Sequence, residues 1–313
     1  MNSRLAFVFS GQGSQKVGML AEVGSLFPVV KNTFSEASEV LGYDLWDLCQ
    51  NGEQEQLNLT ETTQPLLLTS SVALWRVWQE KNGANPALLA GHSLGEWSAL
   101  VCSGVVAFAD AVDLVRKRGA YMQTAVPKGE GSMAAVLNLE DAIILDICKQ
   151  ASVVGVVEAV NFNSPGQVVI AGQVAAVDKA SELLKAVGAK RVLPLPVSAP
   201  FHTSLMQPAA EQMAGHINAT VFNAPEIPVI HNVHARMESD PEVIKQLMIK
   251  QIDSPVLWVD CINALVANGI SSVIECGPGK VLCGLCAKIE KSLNTYSLED
   301  MASIEKALSE TRA

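Results

Sequence analysis

Ser93 has the setting of a nucleophile: it sits in the pentapeptide Gly91-His92-Ser93-Leu94-Gly95. A serine with glycine two positions away on either side fits a sharp strand-to-helix turn that exposes its hydroxyl. Glycine at those places lets neighbouring backbone pass close by. The first amides of a helix beginning at Leu94 would point at whatever the serine binds and favour negative charge there. The chemistry this suggests is that of a serine nucleophile with half an oxyanion hole built in; the plain alternative is a glycine-rich turn carrying an idle serine. The flanks suit the first reading. Ala87-Leu88-Leu89-Ala90 is a short apolar run fit for a buried strand, and Glu96-Trp97-Ser98-Ala99-Leu100-Val101 suits a helix.

Such a serine needs a base. The chain has five histidines: His92, His202, His216, His231 and His234. His202 follows Ser198-Ala199-Pro200-Phe201 on a predicted loop, where functional residues concentrate. His92 adjoins Ser93 but is expected to point away along the turn. Asp110 is expected to cap a helix running to about Ala125, with an apolar stripe of Ala111, Val115, Met122 and Ala125. Arg118 falls on that same stripe. A buried arginine must be paired, so it is either part of a structural ion pair or a clamp for an anion.

The elements that must hold these residues read as an α/β protein. Leu5 to Phe9 is a fully apolar strand that ends in Ser10-Gly11-Gln12-Gly13-Ser14-Gln15, either a ligand-facing loop of an α/β sheet or a tight surface turn. No Gly-Lys-Ser/Thr follows, so it is not a phosphate loop. Helical periodicity covers Phe27 to Val40 and Gln64 to Trp78, with Pro65 in the first turn of the latter. From Gly129 the pattern becomes strand (Met133 to Leu139), helix (Glu140 to Ser152), strand (Val156 to Phe162), a turn at Asn163-Ser164-Pro165-Gly166, strand (Gln167 to Ala171), helix (Val174 to Val187) and strand (Lys190 to Val197). That order is the ferredoxin-like split unit. It predicts a small domain, residues 129–197, inserted in a large α/β catalytic domain made of 1–128 and 198–313. Later elements are a strand at Val229-Ile230, a helix from Asp240 to Gln251, a helix from Ser254-Pro255 to about Ala267, a strand at Ser272 to Glu275, and a polar amphipathic helix from Ser297.

Composition limits the function classes. At 313 residues, 49% hydrophobic and 17% charged, the chain is globular with a sizeable core. A net charge of −10 argues against a broad nucleic-acid surface and requires local basic patches to meet any acidic partner. There is no signal-like segment and no apolar run approaching the roughly 20 residues of a membrane span, so a cytoplasmic location is expected. The seven cysteines read as free thiols. Cys283-Gly284-Leu285-Cys286 reads as part of a helix core, and no metal or cofactor is expected.

Taken in order, Gly11-Gln12-Gly13-Ser14-Gln15, Gln64-Pro65, Gly91-His92-Ser93-Leu94-Gly95-Glu96, Arg118-Gly119, Asn161-Phe162-Asn163-Ser164-Pro165-Gly166-Gln167, Phe201-His202 and Glu275-Cys276-Gly277-Pro278-Gly279-Lys280 resemble the malonyl-CoA:acyl carrier protein transacylase family of type II fatty acid synthesis, which includes polyketide synthase acyltransferase domains. The resemblance implies a hydrolase-like α/β core with a ferredoxin-like insertion. It implies Ser93 as nucleophile and His202 as base, with the amides of Gln12 and Leu94 as oxyanion hole. Arg118 would hold the malonyl carboxylate, and Gln251 would orient His202 through its backbone carbonyl. Gln64, Asn161 and Phe201 complete the implied substrate site. Phe201 matches malonyl-selective members, whereas Ser10 stands where the family often has proline. The implied partners are malonyl-CoA and phosphopantetheinylated acyl carrier protein, with the chain a monomer. Lys185, Lys190, Arg191, Lys280 and Lys288 are candidate contacts for an acidic carrier protein. A polyketide-pathway acyltransferase, a serine thioesterase or esterase, and a non-catalytic docking protein are the competing readings. A chain of this length without flanking domains leans towards fatty acid synthesis.

Overall fold

The computed structural model describes residues 2–197 and 199–312. Ser198, where the second segment of the large domain was expected to begin, lies outside the described residues, as do Met1 and Ala313. The described residues form nine strands: β1 (Asn2–Phe9), β2 (Pro86–Gly91), β3 (Gly131–Leu137), β4 (Val157–Ser164), β5 (Gln167–Gln173), β6 (Arg191–Pro194), β7 (Val229–Ile230), β8 (Ser272–Cys276) and β9 (Asn294–Ser297).

Five of them make an all-parallel sheet in the order β7-β2-β1-β8-β9. A parallel sheet is covered on both faces, which explains why β1 is apolar without alternation. Leu5, Phe7 and Phe9 enter one core, where Phe7 packs edge-on against Trp75 and Trp78. Ala6 and Val8 enter a second core on the opposite face, with Trp258, Ile262 and Leu285. Phe9 pairs with both Gly91 and Cys276, so β1, β2 and β8 end level with one another. Their three following loops therefore meet at the carboxyl edge of the sheet, where α/β proteins bind ligands.

The remaining strands form an antiparallel sheet ordered β4-β5-β3-β6. With the helices Asp141–Ala151 and Val174–Ala186 this is the ferredoxin-like arrangement. Alternation along the strands separates its faces: Ala134, Val136, Val168 and Ile170 pack under the two helices, while Met133, Val169 and Ala171 join the main core.

Several elements depart from the sequence expectation. The helix carrying Arg118 spans Phe108–Thr124, so Asp110 lies in its first turn and is not its cap. The helix holding Gln64 starts at Thr60, which puts Pro65 inside it. Ser254-Pro255 does not start a helix, because Val256 is drawn into pairing with β4: its N–H donates to Val160 O at 2.8 Å and its carbonyl accepts from Phe162 N at 3.0 Å. The next helix begins at Trp258. Asn163 belongs to β4, and the turn is reduced to Pro165-Gly166. The final helix is Met301–Glu310, preceded by β9, and its cap is Asp300, which accepts from Ser303 N.

Candidate active site

Ser93 sits between β2 and the helix Leu94–Cys102 with φ +51° and ψ −106°, a left-handed setting that few non-glycine residues adopt. The flanking glycines make this turn possible. A Cβ on Gly91 would lie 2.0 Å from the Gly95 carbonyl, and one on Gly95 would lie 2.0 Å from Phe9 O. Asn232 locks the turn from the side, accepting from Ser93 N at 2.8 Å and donating to Gly91 O at 2.7 Å.

Ser93 Oγ is 2.7 Å from His202 Nε2. His202 Nδ1 is 2.9 Å from the Gln251 carbonyl, which can only accept, so Nδ1 carries the proton. Nε2 is thus the free lone pair and Ser93 donates to it. His202 also has a positive φ of 64° and is buried. Burial, and then the nearby Arg118 guanidinium, push its pKa down to about 3. The imidazole is held neutral, with Nε2 able to accept a proton.

Arg118 is 1% exposed on the core-facing side of its helix. Among the described residues it forms no ion pair, and its hydrogen-bond partners are neutral. Nη1 donates to Gln64 Oε1 at 2.8 Å, and Nη2 donates to Gln251 Oε1 at 2.9 Å and to Ser93 Oγ at 3.2 Å. Burial lowers its pKa to about 10, which leaves it cationic at neutral pH. Of the two alternatives the sequence left open, the structural ion pair is absent among the described residues. What stands beside Ser93 is a buried cation with no anionic partner in contact among the described residues.

One pocket takes in Gln12, Gln64, His92, Ser93, Leu94, Arg118, Asn161, Phe201 and His202, with Met122, Met133, Leu195 and Val197 as apolar wall. The expected site residues thus converge, with Gln251 directly behind Arg118 and His202. The Gln12 and Leu94 amides donate no hydrogen bond among the described residues, so both are open to an oxyanion. Asn161 Oδ1 is buried without a partner among the described residues.

The structure also brings in residues whose part the sequence did not disclose. His92 lines the same pocket, with its ring bonded to Asn163 of β4 at 2.8 Å and packed edge-on against Trp258. Glu96, His231 and Asn232 form a fully buried group beneath Ser93. The one local signal that Glu96 offers is a lone acid in an apolar run; nothing local marks His231 or Asn232. Glu96 is one of the acids that lie between Ser93 and His202 in the chain, where a Ser–acid–His triad would have its acid, yet it contacts His231 and not His202. Burial pushes the Cys283 thiol up and that of Cys286 up to about 12, as suits core residues. Lys185, Lys190, Arg191, Lys280 and Lys288 are all exposed.

The family model of the acyl transferase domain matches residues 6–306. A malonyl CoA-acyl carrier protein transacylase of Salmonella typhimurium is 52% identical over 308 residues, covering 98% of this chain and 100% of that one. The crystal structure of an acyl carrier protein S-malonyltransferase from Vibrio cholerae superposes with a TM-score of 0.95 at 55% identity, covering 97% and 99% of the two chains. A malonyl-transacylase solved in complex with its type II polyketide acyl-carrier protein superposes with a TM-score of 0.97 at 49% identity, covering 98% and 99%.

Proposed function

The chain belongs to the acyl transferase domain family, and from that premise we propose how its residues move a malonyl group from malonyl-CoA to the thiol of acyl carrier protein. The enzyme is an S-malonyltransferase, and the reading of its site rests on one observation above the rest: the buried, anion-free guanidinium of Arg118 beside the Ser93–His202 pair.

Ser93 Oγ attacks the thioester carbonyl while His202 Nε2 takes its proton. The tetrahedral oxyanion is held by the Gln12 and Leu94 amides; a single such donor contributes about 3–4 kcal/mol in a well-studied protease. The C–S bond breaks, and the CoA thiolate leaves with the proton from His202, giving a malonyl ester on Ser93. The phosphopantetheine thiol then gives its proton to His202 and attacks that ester, and Ser93 leaves reprotonated. Gln251 O steadies the Nδ1–H of His202 while the imidazole is cationic.

Arg118 clamps the malonyl carboxylate in fork geometry, which acetyl cannot offer. Gln64 aims Nη1, and Phe201 and Asn161 line the acyl site. The product supplies extender units for fatty acid synthesis. Residues 129–197 act as an inserted small domain, and the chain works as a cytoplasmic monomer. No helix among the described residues is long and apolar enough to cross a membrane. The exposed cations Lys185, Lys190, Arg191, Lys280 and Lys288 meet the acidic carrier protein; reversing one of them should raise the KM for carrier protein and leave that for malonyl-CoA unchanged.

Intact-protein mass spectrometry after mixing with malonyl-CoA tests the reading. A malonyl adduct that requires Ser93 and passes to added carrier protein is expected. Accumulating free malonate with no adduct would point to a thioesterase instead.

A further inference from the structure

A cation buried as Arg118 is buried needs compensation within reach. Its contacts are neutral, but a buried carboxylate lies one side chain away. Gln251 Oε1 accepts from Arg118 Nη2 at 2.9 Å, and the Nε2 of the same amide donates to Glu96 Oε2 at 2.6 Å and to Ser93 O at 3.0 Å. The amide is therefore fixed in orientation by opposite charges at its two ends. Glu96 Oε2 also accepts from Asn232 N at 3.1 Å, and Oε1 accepts from His231 Nδ1 at 2.7 Å. His231 Nε2 is buried with no partner among the described residues, which suits a bare lone pair better than an N–H. His231 is then a neutral donor, and Glu96 keeps its full charge.

We propose that Glu96 is the counter-charge of the substrate clamp, held away from Arg118 by the Gln251 amide so that the guanidinium stays cationic yet free to take the malonyl carboxylate. A carboxylate in direct contact would occupy the fork that the substrate needs. Set back by one amide, it supports the cation in the empty enzyme and mildly repels the incoming carboxylate. Glu96 is thus a positioning residue: it touches no substrate and acts through Gln251 and Arg118. The same residue ties the clamp to the nucleophile, because Asn232, bonded to Glu96 by its backbone, holds Ser93 N with its side chain.

This inference rests on the reading of Arg118 as the malonyl clamp. Glu96→Gln removes the charge and keeps the shape. The new amide can accept from Gln251 and Asn232 with its oxygen and donate to His231, provided that His231 moves its proton to Nε2. Without the repulsion, malonyl transfer should gain over acetyl transfer. The ratio of their kcat/KM values should rise about twentyfold, the scale set by a unit charge roughly 9 Å away at an effective dielectric constant near 20. A residue that only supports the fold would lower both activities together and leave the ratio unchanged, and that result overturns the proposal.

Urea unfolding of Glu96→Gln, Arg118→Ala and the double variant makes the second measurement, and it needs no substrate. Glu96→Gln should raise the unfolding constant when Arg118 is present, and by about tenfold less when it is absent. If Glu96→Gln fails to fold while the double variant folds, the counter-charge is supported. If the effects simply add, or neither variant folds, it is refuted. Should Arg118→Ala leave the malonyl-to-acetyl ratio unchanged, the clamp reading fails on its own, and the unfolding cycle still decides whether the two charges are coupled.

Discussion

Arg118→Ala separates the clamp from the rest of the machinery. The side chain is 1% exposed and meets its neutral partners at 2.8–3.2 Å, so a malonyl carboxylate entering the pocket would be its one anionic partner in contact. Removing one side of a buried ion pair costs about 3–5 kcal/mol. In kcat/KM for malonyl-CoA that is a loss of roughly a hundredfold to several thousandfold. Acetyl-CoA responds differently. In the native enzyme it leaves the guanidinium unpaired, and the same positive charge depresses the basicity of His202. Alanine removes both handicaps, so acetyl transfer should hold steady or rise. The assay is transfer to carrier protein from each CoA ester, compared as a ratio between native and variant enzymes. Arg118 Nη2 also donates to Ser93 Oγ, which gives the opposing outcome a physical meaning. If malonyl and acetyl transfer fall by the same factor, Arg118 works by supporting the nucleophile, and the clamp is refuted.

Other consequences follow from the same geometry. Because the His202 pKa is about 3 in the fold and near 6.5 when unfolded, its share of stability is complete above about pH 6.5 and is lost as pH falls towards 3, by up to about 1.4 kcal/mol per pH unit. Glu275, raised to about 7 mainly by burial, runs the other way and loses stability as pH rises from about 4.5 to 7. Urea unfolding of native and His202→Ala proteins at pH 7 and pH 5.5 isolates the histidine; equal pH dependence in the two would overturn its assignment as a buried neutral base. Asn232→Ala leaves Ser93 N and Gly91 O without their side-chain partner, at about 1–3 kcal/mol for each buried group. Thermal unfolding should show that loss, and kcat should fall with little change in KM. Gly95→Ala puts a methyl group 2.0 Å from Phe9 O, so β1 or the elbow must shift; expression as a soluble, cooperatively unfolding protein would contradict that packing.

The fold was legible where side-chain pattern and backbone need agree. The apolar run at β1, the split β-α-β-β-α-β unit and the glycine pair around Ser93 each carry their reason in consecutive residues. The failures have a shared cause in tertiary contact. Ser254-Pro255 has the local chemistry of a helix start, yet Val256 completes hydrogen bonds with β4 from another part of the chain. β9 is four partly exposed residues whose identity as a strand comes only from lying beside β8.

The site divides along a related line. Ser93, His202 and Arg118 are legible because the role proposed for each is one that its residue type announces. Gln251, Asn232 and His231 work by standing between other groups, and no local spacing encodes betweenness. This matters for how the acyl group is chosen. A cation next to the base makes His202 a poorer proton acceptor in the empty enzyme, which looks like a defect for a residue that must accept one. The defect disappears when the Arg118 charge is met by a carboxylate. A malonyl group brings that carboxylate, so it restores the basicity of the histidine that activates Ser93 against it; an acetyl group does not. On the proposed roles, selectivity comes from the clamp twice, once through binding and once through the base, and both effects depend on Arg118 having no other carboxylate in contact.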